Sequence, residues 1–387
     1  MGWGSFLKLF FAIALSHATS LDRFDLNDVS ILFALPLPQE MNTLLLKPDD
    51  LLPAEVYTRN THLTPEDYHP IDTYKNLRAV GMRIDPCFKM SAEQTSCTKQ
   101  IRIVWQPLFI DPKSKLVTTD DAAIHTFYNL NEHQWSVLLN ELKTLKKKSN
   151  IQTHKKPLSI HPALANSNTR VQFQSDLNAI ILKFAGKHNL VRFTFMRLQT
   201  RDLWWVFGGF DHKDNEWTKI KIPRVESLVD DPVQNFFNEE SVPTEMGMRG
   251  AIVFSTKDRA ESFDDIVSGY HQPKESDRKE FESKLSLVAR IEDPRKFNPN
   301  NMDCVHCHLT EPVRNYINHG ITNLKQPRSF MQEMKLERSY NMKNISAHKN
   351  NTRALRSFGY FRSSPHVNQR VINESADVAE QLNSVQF

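Results

Sequence analysis

The chain has 387 residues, 40% hydrophobic and 24% charged, enough apolar material for one large core or two smaller ones. Its 49 basic and 45 acidic residues leave a formal charge of +4, and the basic residues are dispersed, which argues against a nucleic-acid partner. No later apolar stretch reaches the roughly 20 residues of a transmembrane helix.

Residues 1–20 read as a signal peptide. Lys8 precedes an apolar stretch at residues 9–15, and Ala18 and Ser20 supply small residues before a cut at Leu21. The mature protein is therefore expected in a bacterial periplasm or secreted. Residues 29–37 look like a buried strand stopped by Pro36, and residues 38–78 like extended loop. Residues 79–84 and 101–108 are strand candidates that flank Cys87 and Cys97. Ten residues apart, in an oxidising compartment, these two cysteines are expected to form a disulfide that pins a hairpin.

Asn131 and Gln134 have the spacing of a capping box, and Trp135, Leu138, Leu139, Leu142 and Leu145 fall on one helical face. Lys146, Lys147 and Lys148 then suit the end of that helix better than a binding patch. Ser175 is a candidate cap for a second helix carrying Leu177, Ile180, Ile181 and Phe184, with Gly186 near its end. Strands follow around Val191, Phe193 and Phe195, over residues 203–210, near Trp217, and over residues 250–255. Residues 211–215 and the pair Gly208-Gly209 have turn or bulge composition. Trp204 and Trp205 read as core. Asp120-Asp121 and Asp264-Asp265 read as helix caps. A helix over residues 277–288 closes an α+β domain with antiparallel hairpins, spanning residues 21–290. Residues 291–387 form a second, mostly helical or irregular segment, with a linker at residues 293–303 and a terminal helix over residues 367–385.

That segment opens with Cys304-Val305-His306-Cys307-His308. Two thiols separated by two residues can reach two vinyl groups on one porphyrin edge from a single helical turn, and the adjacent imidazole can then meet the iron. On these five residues the chain resembles the c-type cytochromes. The resemblance implies one covalent haem c, with Cys304 and Cys307 as thioether donors and His308 as proximal iron ligand. It departs from small class I cytochromes c: the motif sits late in the chain, and Leu309 stands where a glycine is common. Met334 and Met342 are candidate sixth ligands, with Met331, His319, His348 and His366 as alternatives, and a five-coordinate iron is also open.

Two other readings of the motif remain. Cys304, His306, Cys307 and His308 are four nominal zinc ligands, though adjacent ones strain a tetrahedral ion. Alternatively Cys304 and Cys307 form a disulfide or redox pair, but residues 293–303 are not the strand that a thiol oxidoreductase places before such a pair. No hydrolase or phosphate-loop motif is present. The sequence thus points to an exported monohaem protein for single-electron transfer or for redox or ligand sensing, with an unidentified redox partner or small ligand. The competing class is a non-enzymatic envelope or surface binding protein. In that class the large domain binds a partner and the cysteine pair is a staple or metal site.

Overall fold

The computed structural model describes residues 21–49, 51–58, 63, 70–88, 97–199, 204–223, 233–237, 275–320, 324–325, 327, 330–349 and 354–384. The expected signal peptide, the strand expected over residues 250–255 and the expected Asp264-Asp265 cap lie outside the described residues.

The fold is α+β, built on a nine-stranded antiparallel sheet. Its strands are β1 (Ser30–Leu32), β2 (Leu77–Phe88), β3 (Thr98–Ile110), β4 (Val117–Thr119), β5 (Ala122–Leu130), β6 (Leu190–Gln199), β7 (Trp204–Lys213), β8 (Glu216–Lys219) and β9 (Gln234–Phe237). They run in the order β1-β2-β3-β5-β6-β7-β8, with β4 added to β3 and β9 to β7. The helices are α1 (Leu26–Val29), α2 (Ala54–Thr58), α3 (Pro70–Asn76), α4 (Glu132–Ser149), α5 (Pro162–Ala165), α6 (Arg170–Phe184), α7 (Arg278–Ile291), α8 (Cys304–Gly320), α9 (Phe330–Met334) and α10 (Gln369–Ser384). A separate hairpin joins β10 (Phe358–Phe361) to β11 (Ser364–Val367).

The β2–β3 hairpin is as expected, and Cys87 and Cys97 are bonded at its tip. Pro86 falls where the register shifts between Asp85 and Phe88, a place where its missing N–H costs no regular ladder bond. Helix α4 begins with the expected box: Gln134 N–H donates to the Asn131 side chain at 2.9 Å, and Asn131 N–H donates to Gln134 at 3.0 Å. Each lysine of its last turn has an acidic partner, Lys146 with Asp28 at 2.6 Å, Lys147 with Asp22 at 2.5 Å and Lys148 with Asp176 at 2.6 Å.

Several expectations are corrected. Only residues 30–32 of the 29–37 stretch form a strand, and α2 and α3 interrupt the expected loop. Helix α6 starts at Arg170, so Ser175 lies inside it. Phe173 is buried, and the apolar face begins a turn before Leu177. Asp120 and Asp121 do not cap a helix. They precede β5 and pair with Arg197 and Arg356. The 211–215 turn shrinks to Asp214 and Asn215, both at positive φ (52° and 66°), in a two-residue hairpin connection. Gly208 and Gly209 sit inside β7, because a Cβ there would come within 2.6 Å of the Phe195 ring and of the Phe193 carbonyl respectively.

The pairing registers sort the sheet into two faces. One face carries Ile101, Ile103, Ile124, Phe193 and Phe195, which share the main core with α4 and α6. The other face is mixed. Ala123, Met196, Leu198, Trp205 and Phe207 form a second core with α7 and α8. Beside this patch, Arg83 and Arg102 meet Glu374 of α10 at 3.2 and 3.8 Å. Trp205 is thus core, as expected.

The chain beyond residue 290 shares these cores. Val371, Ile372, Ala376 and Ala379 of α10 belong to the main one, and Leu309, Val313 and Ile317 of α8 to the second. The residue 293–303 connection is a run of turns closed on itself: Asn298 N–H donates to Asn301 at 2.8 Å, and Asn301 donates to the Lys296 carbonyl at 2.9 Å. Arg370 and Asn373 of α10 grip its start through the carbonyls of Ile291, Phe297 and Glu292.

Candidate functional site

Helix α8 begins with the motif. The carboxylate of Asp303 caps it by accepting the His306 backbone N–H at 3.0 Å. The His306 ring turns back to the same carboxylate, with Nδ1 2.9 Å from it. From β9, buried Gln234 donates to Asp303 at 2.7 Å and accepts the Val305 N–H at 2.9 Å. The start of the helix is therefore bolted to the edge of the sheet.

Helical periodicity then divides the motif. Val305 and Leu309 are fully buried in the second core, with Val313 and Ile317 further along the same stripe. Cys304, Cys307 and His308, at i, i+3 and i+4, share another face and are half-buried. Both thiols are free. Burial pushes both upward in pKa, the reverse of what a thiol–disulfide catalyst arranges.

His308 is held on both sides. Its ring packs on Phe207 at a centroid distance of 5.1 Å. Its Nδ1–H donates to the Leu355 carbonyl at 2.5 Å, with Ser357 Oγ at 3.3 Å. A carbonyl only accepts, so this bond places the proton on Nδ1 and leaves Nε2 with its lone pair. Burial lowers the His308 pKa, which also favours the neutral ring.

The structure brings Cys304, Cys307 and His308 together and separates His306 from them. Among the described residues, no group of three or more His, Cys, Asp or Glu side chains is arranged to hold a metal ion. Of the expected sixth ligands, Met334 is buried at the end of α9 and Met342 packs against the main core, and neither belongs to the cluster around the two cysteines. His348 packs tilted against Phe361 at a centroid distance of 4.6 Å, His366 is buried on β11, and the His319 side chain lies outside the described residues.

Residues the sequence reading missed complete the site: Asp303, Gln234, Phe207 and Leu355. Asp303 had a detectable signal, an acidic residue directly before a helical motif. The other three are brought in from distant strands and loops, and nothing local marks them.

No described helix is long and apolar enough to cross a membrane. Comparison with protein families, curated proteins and solved structures finds no match to the chain.

Proposed function

We propose that this chain is an exported monohaem c-type protein that handles single electrons, as a carrier or as a redox or ligand sensor. The observation that carries the reading is the hydrogen bond from His308 Nδ1 to the Leu355 carbonyl. Iron-ligating histidines are oriented by such an outer bond, which fixes the tautomer and presents the other nitrogen. A plain disulfide has no use for it; a zinc-bound histidine would share it, but among the described residues no group of three or more His, Cys, Asp or Glu side chains is arranged to hold a metal ion.

The residues present fit the group. Cys304 and Cys307 would hold haem by thioether bonds from the same helix face that carries His308. Phe207 would stop the imidazole from rotating, and Val305 and Leu309 would keep the helix seated. Bound there, the iron supplies a one-electron couple whose potential depends on its axial ligands and burial. The Cys87–Cys97 disulfide supports an oxidising compartment, the periplasm or the exterior, where c-type haem is attached.

The test is expression with a working haem-maturation system. The expected product gains the mass of one haem, shows a Soret band, and keeps haem stain through denaturing electrophoresis. Cys304→Ala/Cys307→Ala should lose the stain. A wild-type product without added mass or Soret band overturns the reading in favour of a non-enzymatic binding protein with a cysteine staple or zinc site.

A further inference from the structure

His125 lies in the middle of β5, on the mixed face of the sheet. The registers fix its place: one row of cross-strand neighbours runs Val104, His125, Thr194, Gly209, and the adjacent row runs Ala123, Met196, Phe207. His308 packs on Phe207, and Ala123, Phe207 and Leu355 belong with Cys304 and Cys307 to one cluster. His125 therefore stands one row, about 7 Å, along β5 from the row that supports His308. The His308 ring has its Nδ1 spent on Leu355, so Nε2 is the end turned away from that carbonyl.

From these placements we propose that His125 is the second axial ligand of the haem iron, facing His308 from the sheet. The inference rests on the haem reading of Cys304, Cys307 and His308. The His125 ring is half-buried, and among the described residues it makes no hydrogen bond. Its nitrogens are not among the buried polar atoms left without a partner, so the ring reaches open space and is free to take a ligand. The charged groups around it are Arg102, His308, Arg83 and Glu374. Burial, then Arg102 and His308, hold its pKa well below the ordinary histidine value, so the ring is neutral and has the lone pair that coordination needs.

The rival ligands are less well placed. Met334 and Met342 lie outside the cysteine cluster. His366 is buried, and among the described residues its Nδ1 has no hydrogen-bond partner, but it is carried on the wrong side of His308. Its strand follows on to Asn368, which donates to Ser357, and Ser357 stands 3.3 Å from His308 Nδ1. The hairpin thus approaches the ring from the nitrogen already used.

The experiment is magnetic circular dichroism and electron paramagnetic resonance on full-length, haem-loaded protein. Wild type should be low-spin with a bis-imidazole charge-transfer signature. His125→Ala should turn high-spin and bind carbon monoxide directly, and added imidazole should restore the low-spin form. Met334→Leu, Met342→Leu and His366→Ala should keep the wild-type spectrum. If His125→Ala does not accumulate, His125→Met should retain six-coordination with a raised reduction potential, since a thioether ligand favours ferrous iron. A methionine signature or a five-coordinate iron in wild type overturns the proposal, as does a low-spin spectrum that survives His125→Ala. Absence of covalent haem from the wild type is a different failure, that of the haem reading itself.

Discussion

Gln234 on β9 and Asp303 at the head of α8 are joined at 2.7 Å, and the other end of the same amide accepts the Val305 N–H at 2.9 Å. One buried side chain thus fixes both the cap and the first turn of the helix that carries the cysteines. Gln234→Leu removes both bonds and leaves two buried groups short of a partner. The expected cost is about 2–3 kcal/mol, read as a lower urea midpoint at an unchanged slope. An unchanged midpoint would show that the helix start is held by α7 and the second core alone. The same variant should also lower the fraction of chains that acquire haem, because the thiols lose their fixed relation to His308.

The two cysteines should be separable spectroscopically. Cys304→Ala and Cys307→Ala each leave one thioether, so each single variant should retain some covalent haem. One vinyl group then stays conjugated with the ring, and the pyridine haemochrome band should move to longer wavelength in both. If either single variant gives the unshifted band, that cysteine forms no thioether bond.

What the sequence made legible is what local chemistry determines. The Asn131/Gln134 box, the Trp135-to-Leu145 stripe and the hairpin around Cys87 and Cys97 each follow from residues close together in the chain, and each is present. The motif's grouping of Cys304, Cys307 and His308 was legible for the same reason. Ser175 failed as a cap because Phe173 pulls the apolar face of α6 one turn earlier. Gly208 and Gly209 looked like a turn because the aromatic ring and backbone that exclude a Cβ come from β6, visible only once the sheet forms. Leu355 and Phe207 reach His308 across 47 and 101 residues of chain, which no local pattern can announce.

The disulfide should stabilise without serving the site. Closing a ten-residue loop removes chain entropy from the unfolded state, a gain of about 2–3 kcal/mol. Cys87→Ala/Cys97→Ala should therefore lower the denaturation midpoint while leaving haem content and spectrum unchanged. A spectral change would mean that the β2–β3 tip is coupled to the cysteine helix.

Glu374 should govern the acid limit of the fold. It is held by Arg83 at 3.2 Å and Arg102 at 3.8 Å, with Arg370 close by. Burial works against its charge, yet the three guanidinium groups outweigh that and hold its pKa down to about 2, against 4.5 in an ordinary glutamate. A carboxyl group depressed in the folded state stabilises above its unfolded pKa. The contribution is thus complete above about pH 4.5, and it fades as pH falls toward 2 and the unfolded chain binds the proton more readily. Glu374→Gln should lose about 3–5 kcal/mol at pH 7, because buried guanidinium groups lose their counter-charge. Asp85, pushed upward by burial and then by Glu374, would ionise more readily in the variant and bring the loss toward the lower figure. The gap between wild type and variant should narrow on acidification, since below about pH 4.5 the unfolded wild type takes up a proton that the folded state accepts only near pH 2. Urea unfolding at pH 7 and again near pH 3 checks both halves. A gap that stays constant with pH would show that Glu374 acts through packing and hydrogen bonding, which the glutamine keeps only in part, and not through its charge.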